Sequence, residues 1–337
     1  MIESIARVAR KTLAYRYFFW DWGEAIATEG LLAAGVATGE PEYYRWVSRA
    51  IDRWIERSPE PFWPDHVGPG LALVEYYRHS GQPHLLAYAR ALADHLGRLP
   101  CSRPGARLHR PDKPDIARLV WVDSMQTDAP FLCALARETG EARYHDQAAE
   151  HLAGQVAALQ DPQTGLFHHC YSDETGRTNG AAWGRGNGWA ALGLAGTLAR
   201  LPLAHPRRAW FAERFRSQVD ALLPAQHATG AWPTVIDRRG APLEASATVM
   251  LAHAMAVGGA AGVLDGRAGA AADRAWAFVE RAVDEAGVVQ GVSERTPPRP
   301  DPESYEARPL GGFYPWGQGP WLLEACRRLT SSKGEPP

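Results

Sequence analysis

The sequence has little that would tie it to a membrane, a metal or an oxidising compartment. No apolar run reaches 18 residues, the shortest stretch that would suggest a membrane span. The N-terminus, MIESIARVARKTLAYRY, alternates charged and apolar residues at helical spacing and lacks the continuous apolar core of a signal peptide. Four cysteines, Cys101, Cys133, Cys170 and Cys326, are scattered without a CxxC pair or a Cys/His metal spacing, so buried free thiols in a reducing compartment are expected. A formal net charge of −2 and the lack of any Lys/Arg run exclude the electrostatic footprint of a nucleic-acid or anionic-membrane binder. Period-2 alternation is almost missing, which argues against a β-sheet protein. What remains is a cytoplasmic globular protein, monomeric or a weak homo-oligomer, for which no metal or other cofactor is expected.

What is present is a recurring helical pair. Residues 22–38 and 41–57 are amphipathic segments joined across Thr38-Gly39-Glu40, and 66–79 with 84–98 and 124–138 with 141–159 repeat the arrangement. Each short connection puts Gly where a helix C-terminus wants a left-handed residue. Pairs at about 187–200 with 206–224 and 244–258 with 268–284 follow, and helices at 2–15 and 318–330 are left to pair with each other. The first member of each pair is rich in Ala, Gly and Leu on all sides, whereas the second carries more charge. All-round apolar helices belong inside and amphipathic ones outside. The expected fold is all-α, an (α/α)6 barrel or six-hairpin toroid, formed as one catalytic domain over residues 1–331 with a short polar tail at 332–337. The long connections, 58–65, 99–122, 160–186, 225–243 and 286–316, then share one end of the barrel, where a site is expected.

Thirteen Trp is a high count, and packing is expected to absorb more than half of them. The exception is Trp183-Gly184-Arg185-Gly186-Asn187-Gly188-Trp189. Indole faces pack on the C–H faces of sugars, Arg offers a fork matched to a carboxylate, and glycine lets a ligand or another backbone come close. The combination reads as a site for an acidic sugar. Asp65, in Trp63-Pro64-Asp65-His66, has an N-cap as its ordinary reading. Asp123 follows the strand-like run Leu119-Val120-Trp121-Val122, which would bury it against aromatic surface. Burial disfavours an ionised carboxyl and suits a general acid near neutral pH. Asp128 is the spare candidate. His109 and His169 lie in long loops on the expected rim and read as ligand contacts; no HxH or HxxxH pair supports a metal. Glu244 and Ser246 open one inner helix, and Tyr305, Arg308 and Trp316-Gly317-Gln318-Gly319-Pro320-Trp321 close the last long loop.

In this order the motifs resemble glycoside hydrolase family 105, the unsaturated rhamnogalacturonyl hydrolases, and more distantly family 88, the unsaturated glucuronyl hydrolases. The likeness runs over most of the chain: Asp21-Trp22-Gly23-Glu24-Ala25, Asp65-His66-Val67-Gly68-Pro69-Gly70, Trp121-Val122-Asp123-Ser124-Met125, His169, the Trp183–Trp189 motif, Ser246 and Trp316–Pro320. The resemblance implies the six-hairpin barrel and a substrate left by a polysaccharide lyase, an oligosaccharide ending in a 4,5-unsaturated uronic acid, with unsaturated galacturonyl-rhamnose expected. It also implies hydration rather than the two-carboxylate scheme of ordinary glycosidases. Asp123 would protonate C4, water would add at C5, and the hemiketal would open to release the aglycone. Asp65 matches the second carboxylate, and Trp22, His169, Trp183, Arg185 and Trp189 match substrate-contacting positions. A guanidinium near Asp123 would favour its ionised form, a conflict that a substrate carboxylate lying between them would relieve. His169-Cys170-Tyr171-Ser172 and Ser124 depart from the family's usual residues and leave the aglycone open. An unsaturated glucuronyl hydrolase with another aglycone, a sugar epimerase and a non-catalytic carbohydrate-binding toroid are the competing readings.

Overall fold

The structure, a computed structural model, describes residues 1–17, 20–58 and 66–332. In chain order the helices are α1 (Ile2–Leu13), α2 (Trp22–Thr38), α3 (Pro41–Arg57), α4 (Gly70–Ser80), α5 (Pro83–Arg98), α6 (Ser124–Thr127), α7 (Ala129–Thr139), α8 (Arg143–Leu159), α9 (Gly184–Arg200), α10 (Arg208–Leu222), α11 (Ala245–Ala260), α12 (Gly266–Arg281), α13 (Glu303–Glu306) and α14 (Pro315–Ser332). Short strands β1 (Leu119–Trp121), β2 (Cys170–Ser172) and β3 (Arg177–Thr178) form one antiparallel sheet; β4 (Trp232–Pro233) pairs with β5 (Leu243–Glu244).

The fold is the expected (α/α)6 toroid. Helix α2 packs on α4, α4 on α7, α7 on α9, α9 on α11, α11 on α14 and α14 back on α2, which closes an inner ring. Each inner helix carries an outer partner, and α1 serves α14 as the pairing of chain ends required. Burial follows composition. Helix α2 is buried on nearly all faces, whereas α3 buries one stripe, Tyr43, Val47, Ala50, Ile51 and Trp54, at the spacing of an amphipathic helix. Each such large apolar side chain contributes about 1.5–3 kcal/mol by leaving water. Asp21 starts α2 by accepting from the backbone of Gly23 and Glu24 at 3.0 and 3.1 Å, and Gly39 ends it at φ +72. Gly81 and Gly140 end α4 and α7 in the same way.

Several boundaries differ from expectation, three of them on the inner helices α4, α7 and α9. Helix α4 begins at Gly70 rather than at 66, because His66 takes φ +60 and the chain turns through 66–69. The segment 124–138 is broken at Asp128, where Pro130 starts a new helix in its first turn. Helix α9 starts at Gly184 rather than 187, so the glycine-rich motif lies inside the helix. A Cβ on Gly184 would stand 2.3 Å from the Pro233 carbonyl oxygen, and one on Gly188 2.8 Å from the Met250 Cβ. These glycines therefore admit neighbouring protein rather than ligand. Gly184→Ala is expected to cost at least about 1–3 kcal/mol by overpacking; an unchanged denaturation midpoint would contradict this. The cysteines are free, but Cys101 is exposed rather than buried, lying on the loop after α5. Among the described residues no helix is long and apolar enough to cross a membrane.

Candidate active site

Strand pairing assembles the site. Trp121 of β1 faces Cys170 of β2, and Val122 donates its N–H to the His169 carbonyl at 3.0 Å. This register sets Asp123, just past β1, beside His169, just before β2. Asp123 precedes α6 but makes no capping hydrogen bond, so its carboxyl is not used as an N-cap. It is 2% exposed, and its Oδ2 lies 3.4 Å from His169 Nε2. Among the described residues neither atom has a hydrogen-bond partner.

Aromatic rings surround the pair. His109 stacks on Trp121 with centroids 3.9 Å apart and planes within 15°. His169 lies 4.2 Å from Trp183 and 5.6 Å from Tyr305. Burial lowers the His169 pKa, partly offset by Asp123, so the imidazole stays neutral at physiological pH. Trp22 packs on both Trp189 and Trp316.

Arg185 is built into the protein. Its guanidinium is fully buried; Nη1 donates to the Ser293 carbonyl and hydroxyl, and Nη2 to the Glu294 carbonyl and the Thr296 hydroxyl. All four terminal hydrogens are thus directed at loop 293–296, and among the described residues only the Nε–H has no partner. The Glu244 carboxylate, 3.7 Å away, supplies the counter-charge that had been assigned to substrate. Burial pulls Arg185 down to about 10, against the opposing pull of Glu244 and Asp123, so it still carries its proton. Trp183 and Trp316 sandwich it at 4.6 and 5.5 Å. Trp189 is likewise fully buried, edge-on to Trp22, and backs the aromatic wall instead of lining it.

Asp65 lies outside the described residues. Its neighbour His66 does not. His66 Nδ1 meets Asp128 Oδ2 at 2.5 Å and its Nε2 meets the Leu108 carbonyl at 3.1 Å. Both ring nitrogens face acceptors, so both carry hydrogen and the ring is an imidazolium. His151 Nε2 adds a second bond to the same Asp128 oxygen at 2.8 Å, and Val67 N and the Thr127 hydroxyl bond Oδ1. Burial would raise Asp128, but the imidazoles outweigh it and hold the carboxyl well below the usual range. The ligand-type atoms lie within 4.8 Å of one another. Donors around one zinc ion at about 2.0–2.1 Å would stand about 3.3 Å apart, so shared protons account better for contacts of 2.5 and 2.8 Å.

This inventory fixes an acid limb for stability. Burial depresses the pKa of both His151 and His169, so each takes up its proton at a lower pH when folded than near pH 6.5, where it does when unfolded. Their contribution is complete above that pH and is lost as pH falls below it. Glu29, pushed up to about 7 by burial, works the other way over this range and offsets part of the loss. The melting temperature is expected to fall steadily from pH 6.5 to 5; a rise on acidification would contradict the assignment.

Sequence reading missed Asn187. Its amide accepts from Phe167 N at 2.9 Å and donates to Phe167 O at 3.0 Å, pinning the segment that leads into His169 to the start of α9. Its place inside the Trp/Gly motif was the available signal. Glu244, weighed only as a helix start, caps α11 and receives the Ser293 N–H at 2.8 Å.

At the opposite end of the barrel a wide cavity of about 1270 Å³ opens between the inner helices. Glu29 there is pushed up to about 7 by burial and receives Gln126, while Glu75 is paired with Arg200. Among the described residues no Trp, Tyr or Phe lines that cavity, so they give it no sugar-stacking wall.

The chain is similar to several known proteins. It is 27% identical over 333 residues to the unsaturated rhamnogalacturonyl hydrolase YesR of Bacillus subtilis, covering 98% of this chain and 95% of that one. An unsaturated 3S-rhamnoglycuronyl hydrolase of an Alteromonas species is 24% identical over 64% of this chain and 52% of its own length. A possible glycoside hydrolase family 105 member from Salmonella enterica superposes with a TM-score of 0.86 at 21% identity, covering 98% of this chain and 93% of that one. The unsaturated glucuronyl hydrolase of Bacillus sp. GL1 does so at 0.78 and 18%, over 98% and 97%. Residues 3–331 match the sequence profile of the glycosyl hydrolase family 88, and the chain belongs to that family.

Proposed function

We propose that this glycoside hydrolase removes the terminal 4,5-unsaturated uronic acid from lyase-generated oligosaccharides, with unsaturated galacturonyl-rhamnose as its substrate, using residues 1–331 as one catalytic unit. The observation that carries the reading is an uncapped, buried carboxyl, Asp123, set among rings suited to a sugar, in a chain matched along nearly its whole length by hydrolases of unsaturated uronyl sugars.

The Asp123 carboxylic acid gives its proton to C4, and the C4=C5 electron pair forms the new C–H bond. Positive charge develops at C5 and spreads onto the ring oxygen. Water attacks C5 and returns a proton to the Asp123 carboxylate, which restores the acid. The C5 hemiketal then opens by breaking the bond from C5 to the ring oxygen. A ketone forms at C5, and the hemiacetal left at C1 collapses to an aldehyde and the aglycone alcohol. Trp121, His109 and Trp183 supply ring faces to the sugar, and Trp22 lies at the mouth. With Arg185 spent on the loop, the cation suited to the substrate carboxylate is Arg295. It is half exposed, held over Trp22 at 5.1 Å and paired with Asp21. Arg295→Ala is expected to raise KM about tenfold with a smaller effect on kcat, as loss of one exposed charged contact would; an unchanged KM would exclude it.

The reading is tested with a panel of unsaturated disaccharides from pectin, glycosaminoglycan and ulvan lyases, following the ultraviolet absorbance of the conjugated double bond. Loss is expected for the galacturonyl-rhamnose member first. No loss with any member would sink the reading. Epimerised but uncleaved sugar would favour the epimerase instead.

A further inference from the structure

Tyr305, at the turn of the last long loop, is fully buried and touches His169 rather than the sugar-facing rings alone. Its hydroxyl oxygen has three neighbours: Asn179 Nδ2 at 2.9 Å, the Arg299 backbone N–H at 3.0 Å and His169 Nδ1 at 2.8 Å. The Asn179 amide cannot be turned the other way round. Its Oδ1 accepts from Cys170 N and its Nδ2 also donates to the Arg299 carbonyl, both backbone groups of fixed polarity. Asn179 and Arg299 therefore both donate to the phenol oxygen and fill its two acceptor positions. The single phenol hydrogen has one place left to go, His169 Nδ1.

We infer that Tyr305 is a positioning residue for the reaction proposed above: it holds His169 as the Nε2–H tautomer, so that the ring offers Asp123 a hydrogen instead of a lone pair. The inference rests on that reaction for its consequence, not for its geometry. Nε2 lies 3.4 Å from Asp123 Oδ2, close enough to strengthen into a hydrogen bond when the carboxyl loses its proton to C4. Such a donor stabilises the transition state more than the ground state, which is the condition for raising kcat. The opposite tautomer would turn an imidazole lone pair toward Asp123. It would draw the acid's proton to itself and compete with C4 for it. The phenol hydrogen therefore decides between a supporting histidine and an inhibiting one, from a residue that need not touch the sugar.

Nitrogen-15 spectroscopy of the ligand-free protein labelled at histidine reads the tautomer directly. His169, identified by its loss in His169→Gln, is expected to show an unprotonated Nδ1 and a proton-bearing Nε2. In Tyr305→Phe the Nδ1–H form should appear, kcat should fall about ten- to a hundredfold and KM should change little. A proton on Nδ1 in the unaltered protein would overturn the inference whether or not Tyr305→Phe folds. A Tyr305→Phe protein with unchanged kcat would overturn it too. The tautomer is measured without substrate, so a mistaken reaction assignment cannot produce either spectroscopic result; turnover by Asp123→Asn tests that assignment separately.

Discussion

Asp123→Asn is expected to lose turnover by about a thousandfold or more while still binding the unsaturated disaccharide. The amide matches the carboxyl in shape but has no acidic proton for C4, and general-acid groups contribute about 10²–10⁴-fold. The loss should sit in kcat. Folding should survive, because Asp123 makes no capping bond and its Oδ2 has no hydrogen-bond partner among the described residues. The checks are kcat and KM on the disaccharide, with a melting curve alongside. Loss below about tenfold would move the acid role elsewhere, and a collapsed melting curve would make the residue structural.

Asp128→Asn tests the neighbouring carboxyl, which the sequence offered as a spare acid. Here the expected effect is on stability. Asp128 is the counter-ion of the buried His66 imidazolium and also accepts from His151. Removing the negative charge leaves a buried cation uncompensated, at a cost of about 3–5 kcal/mol. Chemical denaturation should show the loss at neutral pH. A protein of unchanged stability that has lost its turnover would instead make Asp128 the acid.

The ring was legible in the sequence because the signals that make it are local and repeated. All-round apolar segments alternate with one-sided ones, and glycine ends the inner helices at residues 39, 81 and 140. Asp123 was legible for a similar reason: an apolar run ending in Trp is a short strand, and its pairing with 170–172 does bury the carboxyl. The partners of Arg185 were not legible because they lie far away in the sequence. Nothing in residues 183–189 says that Ser293, Glu294 and Thr296 will take its hydrogens. The glycines were read half correctly, since close approach was right and the approaching group is protein. Tyr305 was visible as a loop residue, but its importance lies in hydrogen-bond polarity. That depends on Asn179 and Arg299, more than 100 residues apart in the chain, for its phenol to have one free direction.

Bond cleavage is expected to follow protonation at C4 and hydration at C5. Turnover of the unsaturated disaccharide in deuterium oxide, followed by proton NMR from the first minutes, tests it most directly. The account requires the vinyl proton signal to vanish as the aglycone appears, with one deuteron delivered to a single face of C4 in the first product formed. An early product that is the free unsaturated uronic acid, its C4 proton still on an intact double bond, would contradict it and return the enzyme to ordinary attack at C1.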